Sequence, residues 1–162
     1  MSPLRHCCPY DRGVRALVQR VTRASVDVIV DDSRERVGEI GPGLMVLLGV
    51  THSDDERVGV KMADKIWNLR IMDDADGVMN LSVADTTREI LVVSQFTLYG
   101  DTSSGRRPGW TAAARPEHAE PLIETVVAEL RRLGATVATG RFRTYMNVDI
   151  VNDGPTTVMI DL

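Results

Sequence analysis

The residues best suited to chemistry stand at the end of one apolar run. Ser94, Gln95 and Thr97 follow directly on Ile90-Leu91-Val92-Val93. A buried strand that ends in a hydroxyl, an amide and a second hydroxyl presents fixed donors and acceptors at a pocket rim. Phe96 sits among them, and Leu98-Tyr99-Gly100 leads into a polar loop that runs to Gly105. This stretch is expected to form the floor of an active site, with Asn152-Asp153-Gly154-Pro155-Thr156-Thr157 as its wall. The three histidines, His6, His52 and His118, lie far from Ser94 in the chain, and no Gly-x-Ser-x-Gly elbow is present. A Ser-His-Asp triad therefore has little support. No His/Cys set has zinc spacing, and there is no P-loop or dinucleotide fingerprint, so neither metal nor cofactor is expected. An enzyme of this kind needs a substrate that is already activated, or one that brings its own catalytic group.

Gly154-Pro155 suggests how such a site could select. X-Pro bonds are trans by default, and glycine before proline eases the local clash. The isomer is open from sequence. In the cis form, two neighbouring carbonyl oxygens would face one side and could exclude a side chain from one face of a chiral centre.

Several elements must position these residues. Val14 to Val21 and Ser25 to Val30 read as strands, then Asp31-Asp32-Ser33 as a turn and Arg36 to Ile40 as a hairpin partner. Gly41-Pro42-Gly43 is a turn, and the apolar run Leu44 to Val50 a central strand. Ser53 with Glu56 three residues on signals a helix start, and Val58, Met62, Ile66 and Leu69 recur at helical spacing. Asp73-Asp74-Ala75-Asp76-Gly77 is an acidic turn without the spacing of a calcium loop. Met79 to Val83 reads as a short strand. Pro116 opens a second helix whose apolar face is Ala119, Leu122, Val126, Leu130 and Leu133, with Gly134 ending it and Pro121 marking a later start or a kink. Ala135 to Gly140, Met146 to Asn152 and Thr156 to Leu162 complete the strands. The order favours an α+β domain with two main helices and a strongly curved, mostly antiparallel sheet, without regular βαβ alternation.

With 162 residues and 43% apolar content the chain fits one globular domain, residues 14–162. Residues 1–13 have no periodicity and read as a disordered extension or a misassigned start. A net charge of −4 argues against gripping long duplex DNA or RNA through phosphates, though not against holding one RNA end. Cys7 and Cys8 are adjacent and form no disulfide framework, which points to a reducing cytosol. No apolar run nears the ~20 residues that span a membrane.

Several motifs occur in one order: Val-Gln19-Arg20-Val, Gly38-Glu39-Ile40-Gly41 with Gly43-Leu44, Ser94-Gln95-Phe96-Thr97-Leu98, Gly105-x-Arg107-Pro108, Gly140-x-Phe142-x-x-x-Met146, and Val151-Asn152-Asp153-Gly154-Pro155-x-Thr157. Together they resemble the D-aminoacyl-tRNA deacylases from Val14 to the C-terminus. The resemblance implies that family's fold, with a barrel-like curved sheet, and a cytosolic homodimer. It implies hydrolysis of the ester that joins a D-amino acid, or mischarged glycine, to the 3′-terminal adenosine of tRNA. It further implies that Ser94, Gln95, Phe96 and Thr97 meet Gly154 and Pro155 of a second copy, and that this pair, in cis, rejects L-amino acids. Arg20 matches the arginine that holds the pair, and Phe142 and Met146 match the region that receives the terminal adenine. In the family the ribose 2′-hydroxyl takes part, with no obligatory side-chain nucleophile.

Each residue also has a plainer reading. Ser94 could cap a strand, Thr97 could pack on the sheet, Phe142 and Met146 could be core, and Arg20 a surface strand residue. Trp110 is either buried or beside the pocket. The chain departs from the family in residues 1–13, in a hairpin at 31–35 that looks long, and at Gly100. Two other functions compete: a non-catalytic dimeric module that binds RNA ends, and a serine esterase using Ser94.

Overall fold

In the computed structural model, which describes residues 13–162, one strand reaches across the whole molecule. This is β1, Arg15–Val30. It pairs antiparallel with β3 (Gly43–Gly49) through its first half and with β2 (Ser33–Ile40) through its second. Along its other edge runs β8 (Met146–Asp161), an equally long antiparallel partner. The extension and the cysteine pair read at residues 1–13 lie almost wholly outside the described residues, as does His6.

The sequence splits β1 and β8 into two strands each because both change face midway. In β1, Ala16 and Val18 join one core, while Val21, Ala24 and Val26 join another. The step from 18 to 21 breaks the period of two, and the β1–β8 register shifts between Gln19 and Arg23. Such an irregularity turns side chains over without ending the strand. In β8, Met146, Val148 and Ile150 pack on the second core and Val158 and Ile160 on the first.

Beyond β3 the sheet continues in parallel, to β6 (Glu89–Ser94) and then β7 (Val137–Thr139). The crossovers carry the two helices, α1 (Glu56–Trp67) and α2 (Pro116–Arg132). Antiparallel pairing dominates as expected, but these two parallel pairs are βαβ connections that the element order had concealed. Leu44, Val46, Leu48, Ile90 and Val92 face the helices, and Met45, Leu91 and Val93 face inward on the curl. Both sheet faces are covered, which is why β3 and β6 read as unbroken apolar runs. The edges β2 and β7 come together: a Cβ on Gly38 would lie 2.8 Å from the Thr139 carbonyl oxygen. Arg141 grips Glu35 across this seam with two bonds of 3.0 and 3.1 Å. The sheet is thus nearly closed into a barrel.

Local details differ from the sequence reading. The first hairpin turn is the pair Asp31-Asp32, both at positive φ, so the hairpin is tight rather than long. The cap of α1 is Asp55, which accepts from Val58 N at 3.0 Å, not Ser53. Helix α2 runs from Pro116 straight through Pro121. Residues 79–83 are a three-residue strand, β5 (Met79–Leu81), followed by a helical turn; β5 pairs with β4 (Met72–Asp73) as a small hairpin around the acidic turn. Among the described residues no helix is long and apolar enough to cross a membrane.

Asp54 is buried beside this framework, with Oδ2 accepting from Thr51 N at 2.7 Å. Burial pushes its carboxyl above the usual carboxylate range. The folded state therefore holds that proton more tightly than the unfolded chain. Its contribution to stability is full in acid and is lost as pH climbs through the folded pKa. Asp54→Asn is expected to raise the melting temperature at pH 8 and to leave it nearly unchanged at pH 4. Melting curves at the two values check this; an equal loss at both would mean that the hydrogen bonds outweigh the burial.

Candidate active site

Strand β6 delivers Ser94 to the end of the sheet, opposite Leu48 of β3. The strand stops there, and Phe96–Tyr99 forms a single 3-10 turn rather than more strand. Gln95 N donates to Leu48 O at 2.8 Å, Leu98 N to Gln95 O at 3.2 Å and Gly100 N to Thr97 O at 3.0 Å. The Gln95 amide donates to the Thr97 hydroxyl. Below, Tyr99 is fully buried, with the Arg15 guanidinium 4.8 Å from its ring centre. Burial pushes the Tyr99 phenol up, so it stays neutral. Arg15 Nη1 also donates to Leu98 O at 3.0 Å. The turn is therefore tied to β3 and β1 by its backbone, and its polar side chains form a fixed shelf.

Facing the shelf is a cleft of about 740 Å³, lined by Ser94, Gln95 and Phe96 on one side and by Phe142 and Met146 on the other. An adjoining cleft of about 550 Å³ shares Ser94, Phe142 and Met146. The structure thus gathers Ser94, Gln95, Phe96, Phe142 and Met146, with Thr97 bonded to Gln95 at the rim. The aromatic and sulfur side chains hold both of their readings, since Phe142 packs on the helical core and Met146 on the inner one. A Cβ on Gly140 would lie 2.8 Å from Met146 Sδ, so the glycine leaves room for that side chain.

Trp110 lies beside the pocket, its ring edge-on to Phe96 at 5.4 Å and 71°. Tyr145, 86% exposed, also lines the cleft and was missed; an aromatic just before an alternating strand carries no mark to separate it from that strand. Its carbonyl accepts from Ile29 N at 2.9 Å, which fixes the 140–145 loop to β1.

Gly154, Pro155 and Arg20 do not join this cleft. Asn152 and Gly43 both lie opposite Val21, whereas Ser94 lies opposite Leu48. Five residues of β3 separate those levels, about 17 Å along the strand. The Gly154-Pro155 peptide is cis, and both residues are exposed. Arg20 is buried, not a surface residue. Its Nη1 donates to Ile71 O and Asp73 Oδ1, each at 3.0 Å, and its Nε lies 3.0 Å from Asp153 Oδ2. Asn152 Nδ2 donates to Arg20 O at 2.9 Å and to Thr156 O at 3.0 Å, spanning the corner. Asn152 and Asp153 stood in the sequence motif without a role. Asp73 read only as part of a turn, because its partner lies 53 positions away.

His52 Nε2 bonds to Thr111 O and His118 Nε2 to Asp54 O, each at 2.8 Å, and neither ring lines the cleft. Among the described residues, no group of three or more His, Cys, Asp and Glu side chains is placed to hold a metal.

Comparison with known proteins agrees with this architecture. A protein of Symbiobacterium thermophilum described as a D-aminoacyl-tRNA deacylase is 53% identical over 148 residues, 91% of this chain and 95% of that protein. One of Streptomyces avermitilis with the same description is 53% identical over 91% of this chain and 99% of its own length. Among solved structures, one described as a c-Myc DNA unwinding element binding protein superposes with a TM-score of 0.83 at 40% identity, covering 90% of this chain and 97% of that one. A probable eukaryotic D-amino acid tRNA deacylase shares the fold, with a TM-score of 0.77 at 16% identity over 92% of this chain and 99% of that one. The profile described as D-Tyr-tRNA(Tyr) deacylase matches residues 17–161, and the chain belongs to that family.

Proposed function

We propose that this protein is a D-aminoacyl-tRNA deacylase acting in the cytosol as a homodimer. Water adds to the ester carbonyl, the bond to the ribose oxygen of the terminal adenosine breaks, and a free D-amino acid and tRNA leave. Glycine, with no side chain to exclude, is accepted by the same site. The shelf Ser94-Gln95-Phe96-Thr97 holds the ester, and the backbone N–H groups of its Phe96-Thr97 turn, rather than that of Gln95, which is bonded to Leu48 O, steady the charge that develops on the carbonyl oxygen. Phe142 and Met146 receive the terminal adenine. Gly154 and Pro155 come from the second copy and block the position an L side chain would take. Selection is then by exclusion rather than by attraction.

The observation that carries this reading is the division within one protomer. The polar shelf and its cleft lie at one end of the sheet, and the braced, exposed Gly154-Pro155 corner lies at the other. A second copy can bring them together.

The test is hydrolysis of D-Tyr-tRNA, L-Tyr-tRNA and Gly-tRNA by the purified protein. The D ester is expected to be cut at least about 100-fold faster than the L ester, the scale of forcing a side chain into occupied space, ~2.7 kcal/mol. Equal rates would defeat the stereochemical part. Binding of adenosine-ended RNA without turnover would indicate an RNA-end binding module instead.

A further inference from the structure

The Arg20 clamp has a second side that the proposed reaction does not use. One guanidinium serves two carboxylates, Asp153 next to Gly154 and Asp73 on the β4–β5 hairpin. Nη1 is taken up entirely on the hairpin side, by Ile71 O and Asp73 Oδ1. Nε faces Asp153. A guanidinium is planar, so fixing Nη1 at two points fixes the direction in which Nε points. The Arg20 side chain is only 8% exposed, so water has little access to replace a lost partner.

The hairpin is itself stiff enough to serve as an anchor. Asp74 N donates to Val78 O at 2.9 Å, and the Asp74 carboxylate accepts from Asp76 N and Val78 N at 2.9 and 3.0 Å. Arg70 Nε closes its base on Asn80 O at 2.7 Å. The hairpin also reaches the far side of the corner, where the buried Thr156 hydroxyl faces Met79 Sδ at 3.9 Å. The β4–β5 hairpin thus approaches the Gly154-Pro155 corner on both flanks, through Arg20 and Asp153 before it and Thr156 after it.

We propose that Asp73 is a positioning residue for stereochemical selection: it holds Arg20 so that Asp153, and with it the Gly154-Pro155 corner, keeps one orientation. Asp73 touches no substrate. The inference rests on the exclusion mechanism above. It assigns to the small hairpin a task that neither the shelf nor the cleft performs.

Asp73→Ala is expected to lower the ratio of D-Tyr-tRNA to L-Tyr-tRNA hydrolysis about tenfold, the effect of one charge-assisted hydrogen bond reduced by the half-exposure of the carboxylate. The kcat/KM for the D ester should change by less than about threefold, because hydrolysis itself occurs at the shelf. Asp73→Asn keeps an Oδ1 acceptor and should retain most of the ratio. Hydrogen exchange of the Arg20 Nε–H, followed by NMR, should quicken in Asp73→Ala and much less in Asp73→Asn. An unchanged ratio in Asp73→Ala overturns the inference. So does a parallel fall of both rates together with the melting temperature, which would mark a merely structural residue. A wild-type protein without enantiomer preference would defeat the exclusion reading instead, and the Arg20 exchange rate would then decide whether the clamp exists.

Discussion

A tRNA ending in 2′-deoxyadenosine, charged on the 3′-oxygen with a D-amino acid, is expected to be hydrolysed about 10²–10⁴-fold more slowly than its ribose counterpart, the usual worth of one placed proton-transfer group. Ser94→Ala is expected to cost no more than about tenfold, the loss of a single hydrogen bond. The contrast follows from what surrounds the shelf. A serine nucleophile needs a base within hydrogen-bond reach. Both described histidine rings are bonded to backbone carbonyls elsewhere, and neither lines the cleft. Gln95 donates to the Thr97 hydroxyl, and neither is a base at neutral pH. Carboxylates do approach: Glu120 and Glu124 of α2 line the adjoining cleft that shares Ser94, both on the exposed side of the helix. In the proposed reaction the ribose 2′-hydroxyl is nearer still, since it sits on the carbon next to the one that bears the ester oxygen. Single-turnover rates on both tRNAs, with wild type, Ser94→Ala, Glu120→Gln and Glu124→Gln, check this. Full activity on the deoxy substrate, or a loss in a glutamine variant as large as that expected for the missing hydroxyl, would move the proton transfer onto the protein.

The same shelf shows how much of the site was legible in the sequence. The change from apolar to polar at Ser94 marked the end of β6 beside the cleft, because a buried strand tolerates such residues only where it leaves the core. What could not be read was the 3-10 turn, since Phe96-Thr97-Leu98-Tyr99 alternates no worse than a strand. The helices were legible from their stripes: Met62, Ala63, Ile66, Ala119, Leu122, Val126 and Leu130 are all buried. The long strands were not, because β1 and β8 each cross from one core to the other and the period slips where they do. Contacts between distant residues left no trace at all. Nothing near Arg20 in the chain announces Ile71 or Asp73, and nothing near Gly38 announces Thr139. Local pattern identifies which residues are buried or polar; partners are set by topology, and two parallel crossovers hidden in the element order decide which strand ends meet.

Gly43→Ala is expected to be the most damaging single change outside the site, destabilising by more than about 4 kcal/mol, beyond the ordinary range for point substitutions. The sequence explains this glycine as part of a Gly-Pro-Gly turn. The structure gives a harder reason. A Cβ there would lie 1.9 Å from Glu89 O, 2.8 Å from Glu89 C and 3.0 Å from Glu89 N. All three are backbone atoms, so no rotamer change can relieve the contact. Gly43 and Glu89 are the first partners in the parallel β3–β6 ladder, and Leu48 and Ser94 the last. To admit a methyl group the two strands must part at that end or slip in register, and a slip of one residue would turn Leu91 and Val93 out of the inner core. The shelf hangs from the far end of the same ladder through Gln95 N on Leu48 O, so it would move with the strand. Gly41 supplies the control. Its Cβ would meet only the Glu89 Oε2 at 3.7 Å, an ordinary contact, and Gly41→Ala should shift stability by no more than about 1 kcal/mol, the helix- or strand-interior scale of a glycine exchange. Urea unfolding of the two variants separates the explanations. If both lose the same small amount, the turn alone sets the need for glycine; if only Gly43→Ala collapses, the close approach of β3 to Glu89 sets it, and the position of Ser94 depends on a residue with no side chain of its own.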